Sequence, residues 1–488
     1  VNYSSSVDLT PTATKSGWTF VGWNTNKDAT TKLSSLTCTG DVTLYAIYRK
    51  TVTATFIWYN KQSVSFDSNM YNNSTSATIA APGGQGTPSG YTFRGWSTST
   101  AANATTSVAG STNISISSNT TYYASYSYQV IAIYHFSDTS SKRCVATAYM
   151  NYVGTRVGGT PSVMGAGDAT GWNFRGWSTS TSATAATVTP GAITSNVDYY
   201  ASWSKKITIN YNVNGGSDTI SSSTGTAYKA YDGTVTNPQI QLTSSKPTRS
   251  GYIFDGWNTQ SDGKGTTYSS NTKYSFSATT TLYAKWNDAV ASITRSDTTL
   301  YYDTLPSAFG AVNNGETIKV LKDNTIEKSS TVASGKTVGL ILNGCTITSN
   351  SNVNMFNVSG TLNVNTYHDT GKIVNTDGTI FNVSSSGNLS LGNDGGIKIT
   401  SSKGNVVNNA GTANVIYVFI TSTSSSPAIT SSSKLSISRS GRITSSAEST
   451  IQTTGGSITF DSAIANNTYG YDSEGYGRGK AIFARNTT

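Results

Sequence analysis

The chain has 488 residues, of which 36% are hydrophobic and only 12% are charged. This length exceeds what one hydrophobic core usually organises, and a chain so rich in Ser, Thr, Asn and Gly favours strands and turns over helices. The net charge of +9 is dispersed rather than gathered into a Lys/Arg run that could follow phosphates, which excludes nucleic acid as an expected partner.

Cysteine usage and hydropathy further limit the classes of protein to which the chain can belong. Cys38, Cys144 and Cys345 fall in three different predicted modules, so a disulfide framework within a module is excluded. The longest apolar stretches, such as residues 130–136, are far below the roughly 20 residues of a membrane helix. No charged and then apolar signal segment opens the sequence, and we expect a processed or excerpted piece without membrane insertion.

Four copies of one heptapeptide occupy the first 287 residues. They read GWTFVGW at residues 17–23, GYTFRGW at 90–96, GWNFRGW at 171–177 and GYIFDGW at 251–257. Each copy ends in a closing strand whose last aromatic is Tyr48, Tyr126, Trp203 or Trp286, and an alternating strand then opens the next copy. This spacing predicts modules at residues 1–50, 51–128, 129–205 and 206–287, followed by a domain at 288–488.

The motif is interpreted as a packing device. Aromatic residues at alternate positions face one side of a strand, and the glycines allow positive φ or a close backbone approach at the turn. All nine Trp lie before residue 287, and we interpret them as core; the alternative is that some are sugar-stacking platforms. The predicted structural residues are Gly17, Trp23, Gly90, Phe93, Trp96, Gly171, Phe174, Trp177, Trp203, Gly251, Phe254, Trp257 and Trp286.

These motifs resemble the Listeria-Bacteroides repeat family, which is related to the B-repeat of bacterial internalins. The resemblance covers about residues 1–287 and is closest in the fourth copy, where GYIFDGW and LYAKW are nearly intact. It implies small β-grasp-like modules strung along secreted, surface-exposed proteins, as stalk or adhesive units without catalytic residues. Copies two and three depart from the pattern after the Trp and in a longer middle loop, where ligand contacts could differ.

The first copy is incomplete in its sequence pattern. Sixteen residues precede its motif, and no alternating strand is evident among them. We expect the parent protein to continue N-terminally with more modules. The alternative is a strand supplied by a neighbouring subunit through strand addition.

A shorter period begins after residue 287. Units of 22–26 residues carry an equivalent apolar residue, namely Phe309, Val332, Phe356, Phe381, Val407, Ile429 and Ile451. A unit this short cannot bury its own apolar face, so the units must stack, and seven coils of a parallel β-helix with Asn and Ser ladders are predicted. The segment ETIKVLKD at residues 316–323 resembles the opening coils of pectin-lyase-like proteins, which implies a right-handed parallel β-helix over about 305–465. The predicted fold class is all-β.

The β-helix fold also hosts polysaccharide lyases and hydrolases, so an enzyme has to be considered. The segment NTDG at residues 375–378 resembles an element of polygalacturonases, in which paired carboxylates and a downstream His perform acid–base catalysis. Here no Asp-Asp pair or Gly-His-Gly follows it, and His368 lies upstream, so a turn is predicted. Asp369 and Asp394 could meet on adjacent coils, but such a pair more often marks a solvated edge than a calcium site.

These observations predict no catalytic residue, no metal site and no cofactor. His135 has no partner His in its aromatic strand and is expected to be structural. Tyr469, Tyr471 and Tyr476 in the Gly-rich tail are either ligand contacts or part of a flexible cap.

The predicted function is that of an extracellular, cell-surface stalk or adhesin that presents the β-helix. Its expected partners are a glycan or protein of a host or of the cell envelope, and further copies of the chain if it assembles into a surface filament. A phage fibre or spike and a carbohydrate-active β-helix enzyme remain as alternatives.

Overall fold

The computed structural model describes residues 1–461 except 73, 85, 138–139, 167–168, 367–368, 393–395 and 440–441, together with strands at 464–467 and 480–484. Half of the residues are in strands and 2% are helical, so the predicted all-β class is confirmed. The chain divides into two compact units, Val1–Ile207 with Gly225–Pro238 and Thr208–Thr224 with Gln239–Thr488.

The described residues of the repeat region form strands joined by loops and one 3-10 turn, Tyr59–Lys61. Its strands are β1 (Thr19–Asn24), β2 (Tyr45–Ile57), β3 (Ser63–Tyr71), β4 (Ala77–Ala80), β5 (Thr92–Ser97), β6 (Asn113–Ile116), β7 (Thr120–Ser137), β8 (Ser140–Asn151), β9 (Arg156–Val157), β10 (Asn173–Ser178), β11 (Val197–Asn212), β12 (Ser223–Lys229), β13 (Val235–Thr236), β14 (Gln239–Gln241), β15 (Tyr252–Asn258), β16 (Thr267–Tyr268), β17 (Lys273–Ser275) and β18 (Thr280–Asp288).

Each complete copy is built on a four-stranded mixed sheet. In the second copy the order is β3, β2, β7, β5, and the central strands β2 and β7 run parallel with Ala54 opposite Thr120. The outer strands β3 and β5 pair antiparallel with them. The third copy repeats this order with β8, β7, β11 and β10. A parallel central pair flanked by antiparallel strands is the sheet expected of a β-grasp-like module.

The copies are joined through shared strands rather than through linkers. The closing strand of one copy continues directly into the opening strand of the next within β2, β7 and β11. The boundaries predicted at residues 50, 128 and 205 therefore fall inside continuous strands, and as domain boundaries they stay predictions. Along the second half of β2, Val52, Ala54 and Phe56 are fully buried while the residues between them are not, as a half-buried strand requires.

The region after β18 is a parallel β-solenoid of about six turns. It opens with the hairpin β19 (Ala291–Arg295) and β20 (Thr298–Tyr302) and the helix α1 (Leu305–Ala311), whose N-terminus is capped by the Thr304 side chain. Three parallel sheets follow, which we call A, B and C. Hairpin strand β19 pairs antiparallel with the first strand of sheet A, β21.

Successive strands of one coil belong to sheets A, B and C in turn. Sheet A contains β21 (Thr317–Val320), β24 (Thr337–Ile341), β27 (Thr361–Asn365), β30 (Asn388–Leu391), β33 (Thr412–Ile416), β36 (Lys434–Ser438) and β39 (Ile458–Asp461). Sheet B contains β22 (Asn324–Thr325), β25 (Thr346–Ser349), β28 (Lys372–Asn375), β31 (Ile397–Ser401), β34 (Val418–Ser422), β37 (Arg442–Ser445) and β40 (Ile464–Asn467). Sheet C contains β23 (Ser330–Val332), β26 (Phe356–Val358), β29 (Phe381–Val383), β32 (Val407–Asn409), β35 (Ile429–Ser431), β38 (Ser449–Thr453) and β41 (Lys480–Ala484).

Most of the predicted apolar column is confirmed, and two of its members are wrong. Phe356, Phe381, Val407, Ile429 and Ile451 stand opposite one another on successive strands of sheet C. The residue that precedes Phe356 in this column is Ser330, and Val332 is aligned with Val358 instead. Phe309 belongs to helix α1, where it covers the end of the column with its ring centroid 5.8 Å from that of Phe356. The apolar end of a stacked repeat must be covered, and here helix α1 covers it.

The predicted polar ladder is also present, on the outer side of sheet C. Asn382 Nδ2 donates to Asn357 Oδ1, Asn408 Nδ2 donates to Asn382 Oδ1 at 3.0 Å, and Thr430 Oγ1 donates to Asn408 Oδ1 at 3.0 Å. Identical amides at equivalent positions can bond along the stack because neighbouring rungs lie only ~4.8 Å apart.

Candidate functional site

The heptapeptide forms a bulged strand in all four copies. The register with the closing strand shifts between the motif Phe and the second motif Gly, for example between Phe93 and Gly95. Gly95 has a φ of 132°, and a Cβ placed on it would lie 2.5 Å from the carbonyl oxygen of Val108. Glycine is therefore required there for both conformation and space. The first motif glycines, Gly17, Gly90, Gly171 and Gly251, have φ of 72–83° in the turn before the strand.

The motif Trp is the centre of an aromatic cluster in each complete copy. An aromatic residue of the opening strand packs against it, with ring centroids 4.9 Å apart for Phe56 and Trp96. The corresponding distances are 4.8 Å for Tyr134 and Trp177 and 4.6 Å for Tyr211 and Trp257. Trp96 and Trp257 are fully buried and Trp177 is 3% exposed. All three rings are thus packed inside their copies, as the interpretation of the motif as a packing device predicts.

The motif Phe and the closing aromatic complete each cluster. The Phe93 ring centroid lies 5.3 Å from that of Trp96 and 6.1 Å from that of Tyr126. The Phe254 ring centroid lies 5.1 Å from that of Trp257 and 5.8 Å from that of Trp286. In the third copy, the Phe174 ring lies 5.3 Å from Trp177, and Trp203 is 4% exposed.

The indole N–H groups of the motif Trp residues differ between the four copies in their hydrogen bonding. Trp96 Nε1 donates to the Pro82 carbonyl and Trp177 Nε1 to the Met164 carbonyl, both at 2.9 Å. Trp23 Nε1 donates to the Pro11 carbonyl at 2.6 Å. Trp257 Nε1 is buried without a hydrogen-bond partner among the described residues, so the fourth motif Trp carries an unpaired buried donor.

The first copy has an open aromatic cluster. Trp23 is only half-buried, and its ring contacts Phe20 at 5.6 Å. In the other copies the opening strand pairs with residues 120–123, 197–200 and 280–283, and among the described residues no strand pairs in this way with the equivalent residues 42–45. The source of such a strand, whether from more modules upstream or from a neighbouring subunit, stays a prediction.

At each junction between copies, the opening hairpin of the following copy forms hydrogen bonds to the loop that follows the preceding motif Trp. We call this contact the clasp. Asn72, after β3, donates from Nδ2 to the carbonyls of Lys27 and Ala29 at 2.8 and 2.9 Å. Asn151, at the end of β8, donates from Nδ2 to the Thr100 carbonyl at 2.9 Å. Lys27 and Thr100 both stand four residues after the motif Trp, so the same loop is held at both junctions.

The third junction keeps this attachment point but changes the donor. The backbone N–H of Asp232 donates to the carbonyl of Thr181, which also stands four residues after its motif Trp, at 3.0 Å. Residues Gly225–Pro238 accordingly belong to the compact unit that contains the third copy.

The variable residue between motif Phe and Gly takes part in the clasp. The Arg94 guanidinium lies 4.4 Å from the ring centroid of Tyr149 on β8, and the Arg175 guanidinium lies 4.4 Å from that of Tyr228 on β12. Both are cation–π contacts, worth about 0.5–1 kcal/mol when exposed. In the fourth copy this position is Asp255, which pairs with Lys285 at 2.8 Å instead. Sequence reasoning missed these arginines as junction residues, although their recurrence in copies two and three was a usable signal.

The polygalacturonase-like segment forms a turn in the structure. Asn375 Oδ1 accepts hydrogen bonds from the backbone N–H groups of Asp377 and Gly378, both at 3.0 Å. The Asp377 carboxylate pairs with Lys403 at 2.9 Å. The segment is thus a side-chain-stabilised corner after β28.

Other predicted candidates are dispersed. Asp394, His368, Tyr469, Tyr471 and Tyr476 lie outside the described residues. His135 Nε2 lies 2.8 Å from Asp198 Oδ1, and its ring stacks on Tyr200 with centroids 4.7 Å apart. Within the described part of the chain, no three His, Cys, Asp or Glu side chains are grouped in a way that could hold a metal ion.

One groove of the second unit contains a motif-related Trp. It has a volume of about 860 Å³, and Lys246, Arg249, Trp286, Tyr301 and Asp297 are among its lining residues. Asp297 is the one carboxylate of this lining, whereas hydrolysis of a glycosidic bond usually requires two facing carboxyl groups.

Three segments of the chain match the model of the Listeria-Bacteroides repeat domain, at residues 1–47, 53–125 and 208–285. The N-terminal region therefore carries Listeria-Bacteroides repeats. The matched segments contain the first, second and fourth motifs, and the third motif lies between them. A search of curated proteins finds no match to the chain.

Listeria-Bacteroides repeats occur in surface or extracellular proteins, which is consistent with the predicted location. The helices in the described part of the chain are too short or too polar to cross a membrane.

Proposed function

We propose that this protein is an extracellular, cell-surface protein in which the Listeria-Bacteroides repeats serve as a stalk and the β-solenoid is the part presented for adhesion. The observation that carries the proposal is the continuity of β2 and β7 across successive copies within the first compact unit. A stalk has to keep its modules in a fixed relation, and a shared strand does so where a Gly/Ser linker would behave as a flexible coil.

The clasps support the same role. Asn72 and Asn151 are each at least nine-tenths buried, and each fixes the loop after the preceding motif. Buried hydrogen bonds of this kind resist bending at the junction because opening it would expose unpaired amide and carbonyl groups.

The location is tested by labelling intact cells that make the protein with antibodies against residues 288–488. Surface labelling, removed when intact cells are treated with protease, is the expected result. A cytoplasmic protein of the same cells serves as the control and must stay unlabelled. Signal that appears only after lysis would refute the proposal.

The assembly state is tested on the purified full chain. Single, monodisperse particles in electron micrographs support an adhesin that acts as a monomer, and end-to-end contacts between particles support a surface filament. A trimeric mass in light scattering favours the phage-fibre alternative.

We also propose that the solenoid is not an enzyme. Purified protein is expected to release no reducing ends or unsaturated products from uronic-acid polymers. Turnover that is abolished by Asp377→Ala would overturn this part of the proposal.

A further inference from the structure

One face of the solenoid carries a column of cations. Along sheet B, the residue pairing places Thr346, Lys372, Lys398, Phe419 and Arg442 opposite one another on successive strands. We call Lys372, Lys398, Phe419 and Arg442 the cationic face. All four side chains are exposed, and at ~4.8 Å per rung they span about 14 Å along the stack.

No anionic side chain balances these charges within sheet B. The second outward column of the same strands consists of Thr348, Val374, Thr400, Thr421 and Thr444. The ion pairs among the described residues do not involve Lys372, Lys398 or Arg442. Like charges on directly facing strand positions repel each other, so stacking Lys372 on Lys398 disfavours the fold unless an anion lies over both.

The outer faces of the other two sheets differ in chemistry. The ladder outside sheet C contains Asn357, Asn382, Asn408 and Thr430. The corresponding column outside sheet A contains Asn363, Ser390, Asn414 and Ser436. These outward columns of sheets A and C consist of neutral residues, whereas the outward column of sheet B described above contains stacked cations.

An exposed aromatic pair interrupts the column. Phe419 is 37% exposed and Tyr417 is 39% exposed, with ring centroids 5.7 Å apart. The Phe419 ring lies directly on the backbone of Gly396, where a Cβ would come within 2.6 Å of Phe419 Cε2. A ring supported from below and open to solvent is a platform for the C–H face of a sugar.

The backbone holds Tyr417 beside this platform at a conformational cost. Gly392, Tyr417 and Arg439 each directly follow a strand of sheet A, and all three have positive φ. At Tyr417 the φ is 52°, a left-handed conformation that a bulky side chain rarely adopts. The coil thus places a tyrosine where glycine fits more easily, and this brings a second ring to the cationic face.

We propose that the cationic face binds a linear acidic polysaccharide that runs along the solenoid axis. One monosaccharide is about as long as one rung, so acidic groups on successive sugars can meet Lys372 and Lys398 while a neighbouring sugar stacks on Phe419 and the next acid meets Arg442. The proposal deepens the proposed function, because it names the class of ligand that an adhesive solenoid would bind.

The test measures binding of the full chain to a heparin-derived hexasaccharide by calorimetry at two salt concentrations. The variant K372Q/K398Q/R442Q is expected to bind at least about tenfold more weakly, since each exposed charge pair is worth a few-fold in affinity. Binding by the wild-type chain should weaken as salt rises, because exposed charges are screened over ~10 Å at 0.1 M. A matched control, K319Q/K328Q/K434Q, removes three exposed lysines that lie outside sheet B and should bind as the wild type does.

Two further comparisons separate a polysaccharide site from a general affinity for anions. Phe419→Ala is expected to weaken binding of the hexasaccharide about threefold or more while leaving binding of polyglutamate unchanged, because the ring contacts sugar rather than charge. Equal affinity for polyglutamate, for single-stranded DNA and for the hexasaccharide would overturn the proposal, as would equal effects of the two triple variants. These measurements use purified protein, so their failure leaves the surface-labelling result standing by itself.

Discussion

Two tryptophans at the same motif position offer a test of how the aromatic clusters stabilise the repeats. Trp96 and Trp257 are both fully buried, and both pack against a motif Phe and an opening-strand ring. They differ in one respect: Trp96 Nε1 donates to the Pro82 carbonyl at 2.9 Å, and Trp257 Nε1 has no partner among the described residues.

Replacing each Trp with Phe therefore has unequal consequences. Both substitutions leave a similar void, so the packing loss largely cancels in the comparison. Trp96→Phe also loses a hydrogen bond worth about 1 kcal/mol, whereas Trp257→Phe removes a buried unpaired donor that costs about 1–3 kcal/mol. We expect Trp96→Phe to destabilise its copy by about 2–4 kcal/mol more than Trp257→Phe destabilises its own.

The full chain has several units and need not unfold in one step, so the assay must be local. Native-state hydrogen exchange followed by mass spectrometry reports the opening free energy of β5 and β7 separately from that of β15 and β18. Equal losses of opening free energy in the two copies, or a larger loss for Trp257→Phe, would refute the prediction that the indole hydrogen bond makes the two substitutions differ in their effect on stability.

Three other perturbations follow from the structure. Gly95→Ala should destabilise the second copy by about 2–4 kcal/mol because of its positive φ and the nearby Val108 carbonyl, whereas Gly40→Ala, where a Cβ meets nothing within 4 Å, should leave the melting temperature unchanged. Asn151→Ala should weaken the second junction by about 1–2 kcal/mol and raise amide exchange in β8 and in the loop around Thr100, while Asn173→Ala at an exposed site of β10 should not; unchanged exchange in the Asn151 variant would argue against the clasp. The hydrogen bond from Arg295 lowers the pKa of Glu316 to about 2 from its ordinary 4.5, so the stabilisation by this carboxylate is complete above about pH 4.5 and is lost as the pH falls towards 2. Glu316→Gln should lack that part of the acid destabilisation in pH-dependent melts, and identical profiles for both proteins would contradict it.

The sequence alone revealed the repeats because their physical requirements recur at fixed positions. The β-bulge requires a glycine and the aromatic cluster requires a Trp, so the same residue types recur at these positions in every copy, as at Gly95 and Trp96. The apolar column of the solenoid was visible for the same reason, since a stacked coil must place an apolar residue inward on each turn.

The errors at the start of the solenoid have a physical cause. Local alternation fits Val332 as well as Ser330, and only hydrogen bonding to β26 decides which of them meets Phe356. Phe309 is apolar and correctly spaced, but the Thr-Leu-Pro start of its segment favours a helix, and that helix covers the column instead of extending it.

Register and side-chain reach were decided by the tertiary structure alone. Lys372, Lys398 and Arg442 are separated by loops of unequal length, so no fixed period marks them as neighbours until the strands of sheet B pair. Arg94 looked like a variable motif position, and its role became visible only when β8 of the next copy placed Tyr149 over its guanidinium. Sequence records which residue types a repeat needs, whereas contacts between residues far apart in the chain depend on hydrogen-bond pairing that loop lengths conceal.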